Sequence, residues 1–228
     1  MTIKMTWLSH GSWLIEADST RIVLDPFLSD NPAAKATVED LGKITHVLVS
    51  HAHFDHIADV AEIANAHDAT LVANFEIVQW FQKNHAVRNA VAMNTGGKTS
   101  LPGGDLLLTP ALHSSSFPDG SYGGCPGGFV VRLGRRRIYF ACDTAYFSDM
   151  VHFAHRVDLA VLPIGDLFTM GIDESLVAIK AIEPKRVLPA HYATWPPIEQ
   201  DAERWAQRVR TETNSEPLVL DVGGSISL

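Results

Sequence analysis

Hydrophobic positions follow two patterns along this chain: short apolar runs and longer segments in which apolar residues recur at helical spacing. The runs are rich in Ile, Val, Leu and Trp and are bounded by turn residues, which is typical of β-strands. They predict strands at 4–8, 12–16, 21–24, 46–50, 70–73, 105–110, 128–133, 137–142, 159–162 and 186–189. The helical spacing predicts helices at 57–66, 75–83, 173–182 and 200–210.

The order of these elements predicts an α/β fold. Residues 46–83 form a strand–helix–strand–helix passage, and the second half of the chain repeats this alternation. No linker, low-complexity tract or exact repeat divides the chain. We therefore expect a single domain, residues 1–228, in which two sheets pack face to face and helices cover their outer faces.

Composition and charge narrow the classes of function. Hydrophobic residues make up 46% of the chain and charged residues 19%, as in ordinary globular proteins. The formal net charge of -8 argues against a broad nucleic-acid-binding surface. The compact basic run 135–137 lies between two predicted strands and is interpreted as a hairpin tip.

Cysteine content and hydropathy indicate the cellular compartment in which the protein is expected. Two cysteines, Cys125 and Cys142, are too few for a disulfide framework and are typical of a reducing environment. No apolar stretch approaches the roughly 18–20 residues that span a bilayer. The first residues enter a strand pattern directly, without the features of a signal peptide. These observations predict a cytoplasmic protein with no membrane partner.

The densest candidate chemistry lies at residues 51–56, His-Ala-His-Phe-Asp-His, directly after a predicted strand. Imidazole nitrogens and carboxylate oxygens are common ligands of zinc, iron and manganese. A strand end can hold the first ligands rigidly while the following turn directs the others. A chance cluster of surface histidines does not readily produce this spacing, so the segment predicts a metal site.

Three further ligand types follow predicted strands elsewhere in the chain. His113 follows 106–112, Asp143 follows 138–142, and His191 follows 187–190. Because strand ends in a sandwich converge on one edge, we expect these side chains to join residues 51–56 in a shared centre. A dinuclear centre needs about six to eight donors, more than residues 51–56 alone supply.

Several other positions stay open at this stage. His10, in a turn after the first predicted strand, could reach the pocket rim or be an ordinary turn residue. Asp166 could influence the charge of the substrate. The glycine-rich loop 115–128 is either a cover over the metals or a plain connector, and Tyr192 and Trp195 either line a pocket or only pack.

The ordered set His51-x-His53-x-Asp55-His56, His113, Asp143 and His191 resembles the signature of the metallo-β-lactamase superfamily, with Asp25 at its early motif aspartate. The stretches 7–15, 25–28, 162–171 and 189–196 resemble a branch of short metal-dependent hydrolases similar to the lactonase that opens L-ascorbate 6-phosphate. The resemblance implies a four-layer αββα sandwich with the metals at one edge.

The resemblance also implies roles for the candidate residues. His51, His53 and His113 would hold one metal ion; Asp55, His56 and His191 would hold a second; Asp143 would bridge them. Two divalent cations, zinc or manganese with iron or nickel as alternatives, would supply a bridging water or hydroxide as the nucleophile. Asp55 would also be the catalytic residue that carries a proton to the leaving group.

Four functions compete on this basis. The first is a hydrolase of a small ester, lactone or phosphodiester. The second is a mononuclear iron oxidoreductase of the dioxygenase type, the third a nuclease, and the fourth a binding protein without catalysis. The intact second ligand set, the short chain and the acidic charge favour the first. A small-molecule substrate is therefore expected, and a homo-oligomer is suggested by the family resemblance only.

Overall fold

The computed structural model describes residues 1–228, and its fourteen strands form two seven-stranded sheets. In chain order the strands are β1 (Ile3–Ser9), β2 (Ser12–Ala17), β3 (Thr20–Leu24), β4 (His46–Leu48), β5 (Thr70–Asn74), β6 (Ala90–Met93), β7 (Lys98–Leu101), β8 (Gly104–Pro110), β9 (Gly127–Leu133), β10 (Arg136–Phe140), β11 (Leu159–Pro163), β12 (Arg186–Ala190), β13 (Glu216–Pro217) and β14 (Ser225–Ser227). The first sheet has the order β14-β1-β2-β3-β4-β5-β6, and the second has the order β13-β12-β11-β10-β9-β8-β7.

Six α-helices connect and flank these strands. They are α1 (Phe54–Ile57), α2 (Val60–His67), α3 (Phe75–His85), α4 (Met150–Ala154), α5 (Ile172–Ile182) and α6 (Ala202–Glu212), with 3₁₀ turns at Glu39–Leu41 and Pro196–Ile198. The longest helices have 11 residues, and none of the six could cross a membrane.

Alternating side chains of the strands build a layered core. On β3, Ile22 and Leu24 pack into the cluster between the two sheets, whereas Val23 packs into a second cluster beneath α2 and α3. Neighbouring residues of a strand point to opposite faces, so one strand contributes to two layers. Residues of α5 and α6, including Trp205, cover the outer face of the second sheet. The four-layer αββα sandwich expected from the family resemblance is confirmed.

Both sheets combine antiparallel and parallel pairing in the same way. In the first, β1, β2 and β3 pair antiparallel and β3, β4, β5 and β6 pair parallel. In the second, β7 to β10 pair antiparallel and β10 to β13 pair parallel. It follows that β1, β3 and β4 run in one direction, as do β8, β10 and β12, so the carboxyl ends of each trio lie at one edge of its sheet.

The strands that the sequence pattern missed are the four at the sheet edges: β6, β7, β13 and β14. An edge strand has one neighbour and buries less of its surface, so it carries a weaker apolar pattern. In β7 only Leu101 is buried, and β14 has no fully buried residue. The ten strands predicted from the pattern are all present, with boundaries that shift by one or two residues.

The helix predicted at 57–66 is interrupted at Asp59, which separates α1 from α2. The Asp59 carboxylate accepts hydrogen bonds from the backbone N–H of Leu28 at 2.6 Å and of Ser29 at 3.3 Å, and from the Ser29 hydroxyl. Asp59 is buried, and its own N–H donates to the carbonyl of Pro26 at 3.2 Å. This side chain ties the loop after β3 to the start of α2.

Asp59→Ala is expected to lower the free energy of unfolding by about 2 kcal/mol, because it leaves buried backbone N–H groups without an acceptor. Urea denaturation monitored by circular dichroism measures the change. Asp30→Ala, an exposed aspartate in the same loop, is the control and should be close to neutral. Equal stability of the two variants would contradict the anchoring role of Asp59.

Candidate metal centre

Six strands deliver a polar side chain to the same region, each within three residues of the strand's carboxyl end. These residues are His10 after β1, Asp25 after β3, His51 after β4, His113 after β8, Asp143 after β10 and His191 after β12. His53, Asp55 and His56 follow in the turn after His51 and the first turn of α1. All seven predicted ligand positions are therefore brought together.

The backbone is turned sharply at three of these strand ends. His10, Asp25 and His191 have φ values of 54°, 45° and 54°, in the left-handed region that non-glycine residues seldom adopt. Such conformations cost about 1–3 kcal/mol each and persist only where surrounding contacts impose them. The His191 N–H donates to the His10 carbonyl at 3.1 Å, so two of the turns hold each other and fix the direction of their imidazoles.

The first donor set consists of three imidazoles. His51 Nε2 lies 3.0 Å from His53 Nδ1, and His53 Nδ1 lies 3.3 Å from His113 Nε2. All three ligand atoms lie within 4.8 Å of one another, close enough to share one metal ion. His51 is buried, whereas His53 and His113 are half-buried and face the cavity described below.

The second donor set contains Asp55, His56 and His191. Asp55 Oδ2 lies 3.7 Å from both His56 Nε2 and His191 Nε2. His10 adjoins this group, with its Nε2 at 3.0 Å from Asp55 Oδ2, and the four candidate donor atoms lie within 4.8 Å of one another. The group can hold a second ion.

Asp143 lies between the two sets. Its Oδ2 is 3.9 Å from His51 Nε2 and 3.7 Å from His113 Nε2 on one side. On the other side it is 3.4 Å from His56 Nε2 and 3.0 Å from His191 Nε2. A single carboxylate thus reaches imidazoles of both sets, as the bridging role implied by the family resemblance requires.

Buried polar atoms of the site fit a metal ion. His56 Nε2, His191 Nε2 and Asp143 Oδ1 are buried and make no hydrogen bond. The two imidazole nitrogens lie 3.4 and 3.0 Å from Asp143 Oδ2. Buried polar groups without partners are rare and costly, and a cation at their common focus would satisfy them.

The charge of the site also fits a cation. Burial opposes ionisation of Asp143, but His191 and His56 outweigh it and hold the pKa of this carboxyl well below its usual value. Burial likewise opposes protonation of His56, but Asp143 and the other two carboxylates, Asp55 and Asp25, hold its pKa well above the usual value. In His191 the same carboxylate overcomes burial and raises the pKa to about 9. The buried carboxylates are therefore stabilised by nearby positive charge, which bound metal ions would supply.

Asp25 lies on the side of the ligand imidazoles that faces away from the centre, and it orients them through hydrogen bonds. Its Oδ2 lies 2.9 Å from His56 Nδ1, which leaves His56 Nε2 directed at the centre. The backbone N–H and the hydroxyl of Ser50 donate to Asp25 at 2.7 and 2.6 Å. The same hydroxyl lies 2.9 Å from His51 Nδ1. A carboxylate on the far nitrogen of a ligating imidazole fixes its tautomer and increases its basicity.

His10 is the site residue that sequence reasoning did not assign. It is fully buried, its Nδ1 lies 2.9 Å from the Thr194 hydroxyl, and its Nε2 contacts Asp55. Burial, followed by the neighbouring His191, lowers the pKa of His10 to about 4, so it is neutral at neutral pH. The rule that found His113, Asp143 and His191 applies to it as well, because β1 runs in the same direction as β3 and β4.

A cavity of about 540 Å³ opens above the centre. Its inner end presents ligand candidates of both sets, and the Ser114 hydroxyl lies 3.2 Å from His53 Nε2. Ser116 also lines the cavity. The remaining wall is apolar and consists of Phe54, Phe117, Pro118, Phe168, Trp195, Pro197 and Ile198. The volume is in the range of small-molecule sites.

The structure decides the remaining open positions. The glycine-rich loop contributes Ser116, Phe117 and Pro118 to the cavity and is anchored, since Asn74 donates to the carbonyls of Gly123 and Cys125 at 2.8 and 3.0 Å. Trp195 lines the cavity, whereas Tyr192 stacks on Trp7 at 5.2 Å between ring centroids. Asp166 is exposed and does not line the cavity.

Fold and site together define the class of this protein. Two mixed sheets between helical layers, with histidines and aspartates gathered where the strands of both sheets end, are the metallo-β-lactamase architecture. The sequence profile described as "Beta-lactamase superfamily domain" matches residues 20–192.

Individual proteins of similar sequence or structure support the same assignment. A UPF0173 metal-dependent hydrolase of Thermus thermophilus is 47% identical over 209 residues, covering 91% of this chain and 92% of its own. Another of Pelotomaculum thermopropionicum is 41% identical, covering 99% and 100%. The structure of Igni18, a metallo hydrolase of Ignicoccus hospitalis, is 33% identical with a TM-score of 0.90, covering 100% of this chain and 99% of its own. The chain belongs to the β-lactamase superfamily and, within it, to the UPF0173 metal-dependent hydrolases.

The combined substitution His51→Ala and His53→Ala should abolish both metal retention and activity, because it removes two of the three donors of the first set. Elemental analysis of the purified variant measures the loss. His152→Ala with His155→Ala, two exposed histidines outside the site, is the matched control and should retain metal. Full activity of the first double variant would refute the assignment of the site.

His10→Gln should weaken metal binding at the second donor set by about 10- to 100-fold, as expected when a group that orients a ligand is removed. Competition with a chromogenic chelator measures the affinity of each ion released. The first set should be unaffected, because His10 contacts Asp55 and not His51, His53 or His113. Wild-type affinity at both sets would show that His10 does not position Asp55.

Proposed function

We propose that this protein is a dinuclear metal-dependent hydrolase of a small ester, lactone or phosphodiester. His51, His53 and His113 would hold one divalent ion, Asp55, His56 and His191 the other, and Asp143 would contact both. The names of its relatives support hydrolysis by a metal-dependent enzyme.

The observation that carries the proposal is the position of Asp143. One of its oxygens lies within 3.9 Å of four imidazole nitrogens, two from each donor set. A mononuclear iron enzyme needs only one complete set of donors. Here the second set is as complete as the first and is supported by Asp25 and His10, which favours two ions over one.

When bound, two divalent cations lower the pKa of water towards neutrality and stabilise the oxyanion that forms as the substrate is attacked. The protein supplies the geometry. The imidazoles are fixed by Asp25, Ser50 and the turned backbone, and the apolar wall borders the position of the reacting group. No serine or cysteine nucleophile is required.

Asp55 is the residue that would carry the proton. It lines the cavity beside Asp143 and His191. Burial opposes its ionisation, but His56 and His10 outweigh this and lower its pKa, so the carboxylate is ionised at neutral pH. His10 holds Oδ2 of this carboxylate at 3.0 Å, and the proton could then pass from Asp55 to the departing oxygen.

Elemental analysis of protein purified without added metal should find about two ions per chain, with zinc or manganese expected from the nitrogen- and oxygen-rich donors. The same preparation should hydrolyse at least one member of a panel of esters, lactones and phosphodiesters, and chelation should abolish that activity. A single iron per chain, together with oxygen uptake, would contradict the proposal in favour of dioxygenase chemistry.

A further inference from the structure

The cavity above the metal centre has ionisable side chains at one end only. Five of its lining residues belong to the two donor sets or bridge them, two are serines and seven are apolar. The chain contains 18 Lys and Arg residues, and none of them lines the cavity. A substrate group that extends away from the metals therefore meets no cationic partner.

The apolar wall is held in place by packing. The Trp195 ring lies 5.8 Å from Phe27 and 6.0 Å from Phe54, and His10 packs edge-on at 5.0 Å. On the opposite side Phe117 is buried and stacks on Trp80, with ring centroids 4.1 Å apart and an angle of 11°. Aromatic rings supported in this way form a pocket that exists before the substrate arrives.

The mouth of the cavity is also apolar. Phe54 and Phe168 line it and are 55% and 57% exposed. Leu112 and Leu167, neighbours in sequence of the lining residues His113 and Phe168, are exposed as well. Exposed apolar side chains at the rim of a pocket are typical of a surface that binds an apolar ligand.

From these observations we infer that the substrate is an uncharged ester or lactone with a hydrocarbon or aryl group opposite the reacting carbonyl. The inference rests on the proposed function and adds the substrate class to it. Hydrocarbon in this cavity would be removed from water against Phe117, Trp195 and Ile198. A carboxylate or phosphate in the same place would lose its hydration without gaining a partner.

A sugar phosphate is disfavoured by the same reasoning. Terminal phosphates are ordinarily bound by Arg, Lys or backbone N–H groups at the N-terminus of a helix. The cavity offers no Lys or Arg, its hydroxyl groups are those of Ser114 and Ser116, and the Ser114 hydroxyl lies 3.2 Å from His53 Nε2 at the metal-binding end. The predicted similarity to a lactonase of L-ascorbate 6-phosphate therefore does not extend to its phosphate-bearing substrate.

The test compares two esters of matched length, p-nitrophenyl hexanoate and the p-nitrophenyl monoester of adipic acid, which carries a terminal carboxylate. Water adds to the acyl carbon, the acyl C–O bond breaks, and p-nitrophenolate leaves and is measured. With the metal-loaded enzyme we expect kcat/KM for the hexanoate to exceed that for the adipate at least tenfold, after subtraction of spontaneous hydrolysis.

Phe168→Arg places a cation in the wall at an exposed position, where folding should tolerate it. It should raise kcat/KM for the adipate ester and lower it for the hexanoate ester. The ratio of kcat/KM for the hexanoate to kcat/KM for the adipate should therefore fall at least tenfold. Phe75→Arg is the matched control, because Phe75 is 54% exposed and lies outside the cavity. Its preference should equal that of the wild type, and thermal melting should confirm that both variants fold.

The outcomes separate the substrate inference from the proposed function. Equal or reversed preference for the adipate ester, or a preference unchanged by Phe168→Arg, would overturn the apolar substrate class while leaving an esterase in place. Hydrolysis of neither ester would contradict an ester hydrolase. In that case the dissociation constants of two anilides, hexananilide and the monoanilide of adipic acid, decide the substrate class. They are measured by quenching of Trp195 fluorescence, with Trp195→Phe as the control. At least tenfold tighter binding of hexananilide supports the inference, and equal or absent binding overturns it.

Discussion

The centre of this protein depends on a buried carboxylate that has no Lys or Arg to pair with. Asp143 is almost fully buried between the two sheets and is surrounded by imidazoles of His51, His56, His113 and His191. Burying an ionised carboxylate is costly unless it is compensated by opposite charge or by several hydrogen bonds. Two of these imidazoles, His56 and His191, have buried nitrogens without hydrogen-bond partners, so the protein alone does not satisfy the arrangement and bound cations would complete it.

The sheet topology places these groups. Five strands of each sheet run in the same direction, and three of these five, β1, β3 and β4 in the first sheet and β8, β10 and β12 in the second, are each followed by a site residue within three residues. The left-handed turns at His10, Asp25 and His191 then direct side chains inwards that a continuing strand would carry past the centre. The strain of these turns is offset by the contacts around them, including the bond between the His191 N–H and the His10 carbonyl and those from Ser50 to Asp25. These hydrogen bonds fix the turns and thereby set the positions of the site residues.

The two ends of the cavity have different tasks: one holds the candidate metal ligands, and the other contacts the rest of the substrate. The metal-binding end is built from strand ends and from the segment 51–56, whereas the apolar wall comes from loops: the segment 114–118, the turn at Phe168 and the 3₁₀ turn Pro196–Ile198. The strand ends are constrained by two sheets, while loops can change composition with little effect on the core. Within one superfamily, the same metal centre can therefore serve substrates of very different polarity.

The sequence by itself determined the α/β sandwich, its ten inner strands and the seven candidate ligand positions that the fold brings together, because strand ends and metal-ligand types are both marked by local residue patterns. It did not determine the edge strands, whose surface is only partly buried, nor the break at Asp59, which arises from a contact with Leu28 and Ser29 that lie about thirty positions earlier.

Only the tertiary structure assigned His10 to the centre, since a turn histidine acquires a role through a contact with Asp55, 45 residues away. The apolar wall was likewise decided in three dimensions, because its residues are dispersed from Phe54 to Ile198 and no local pattern marks a surface assembled from separate loops.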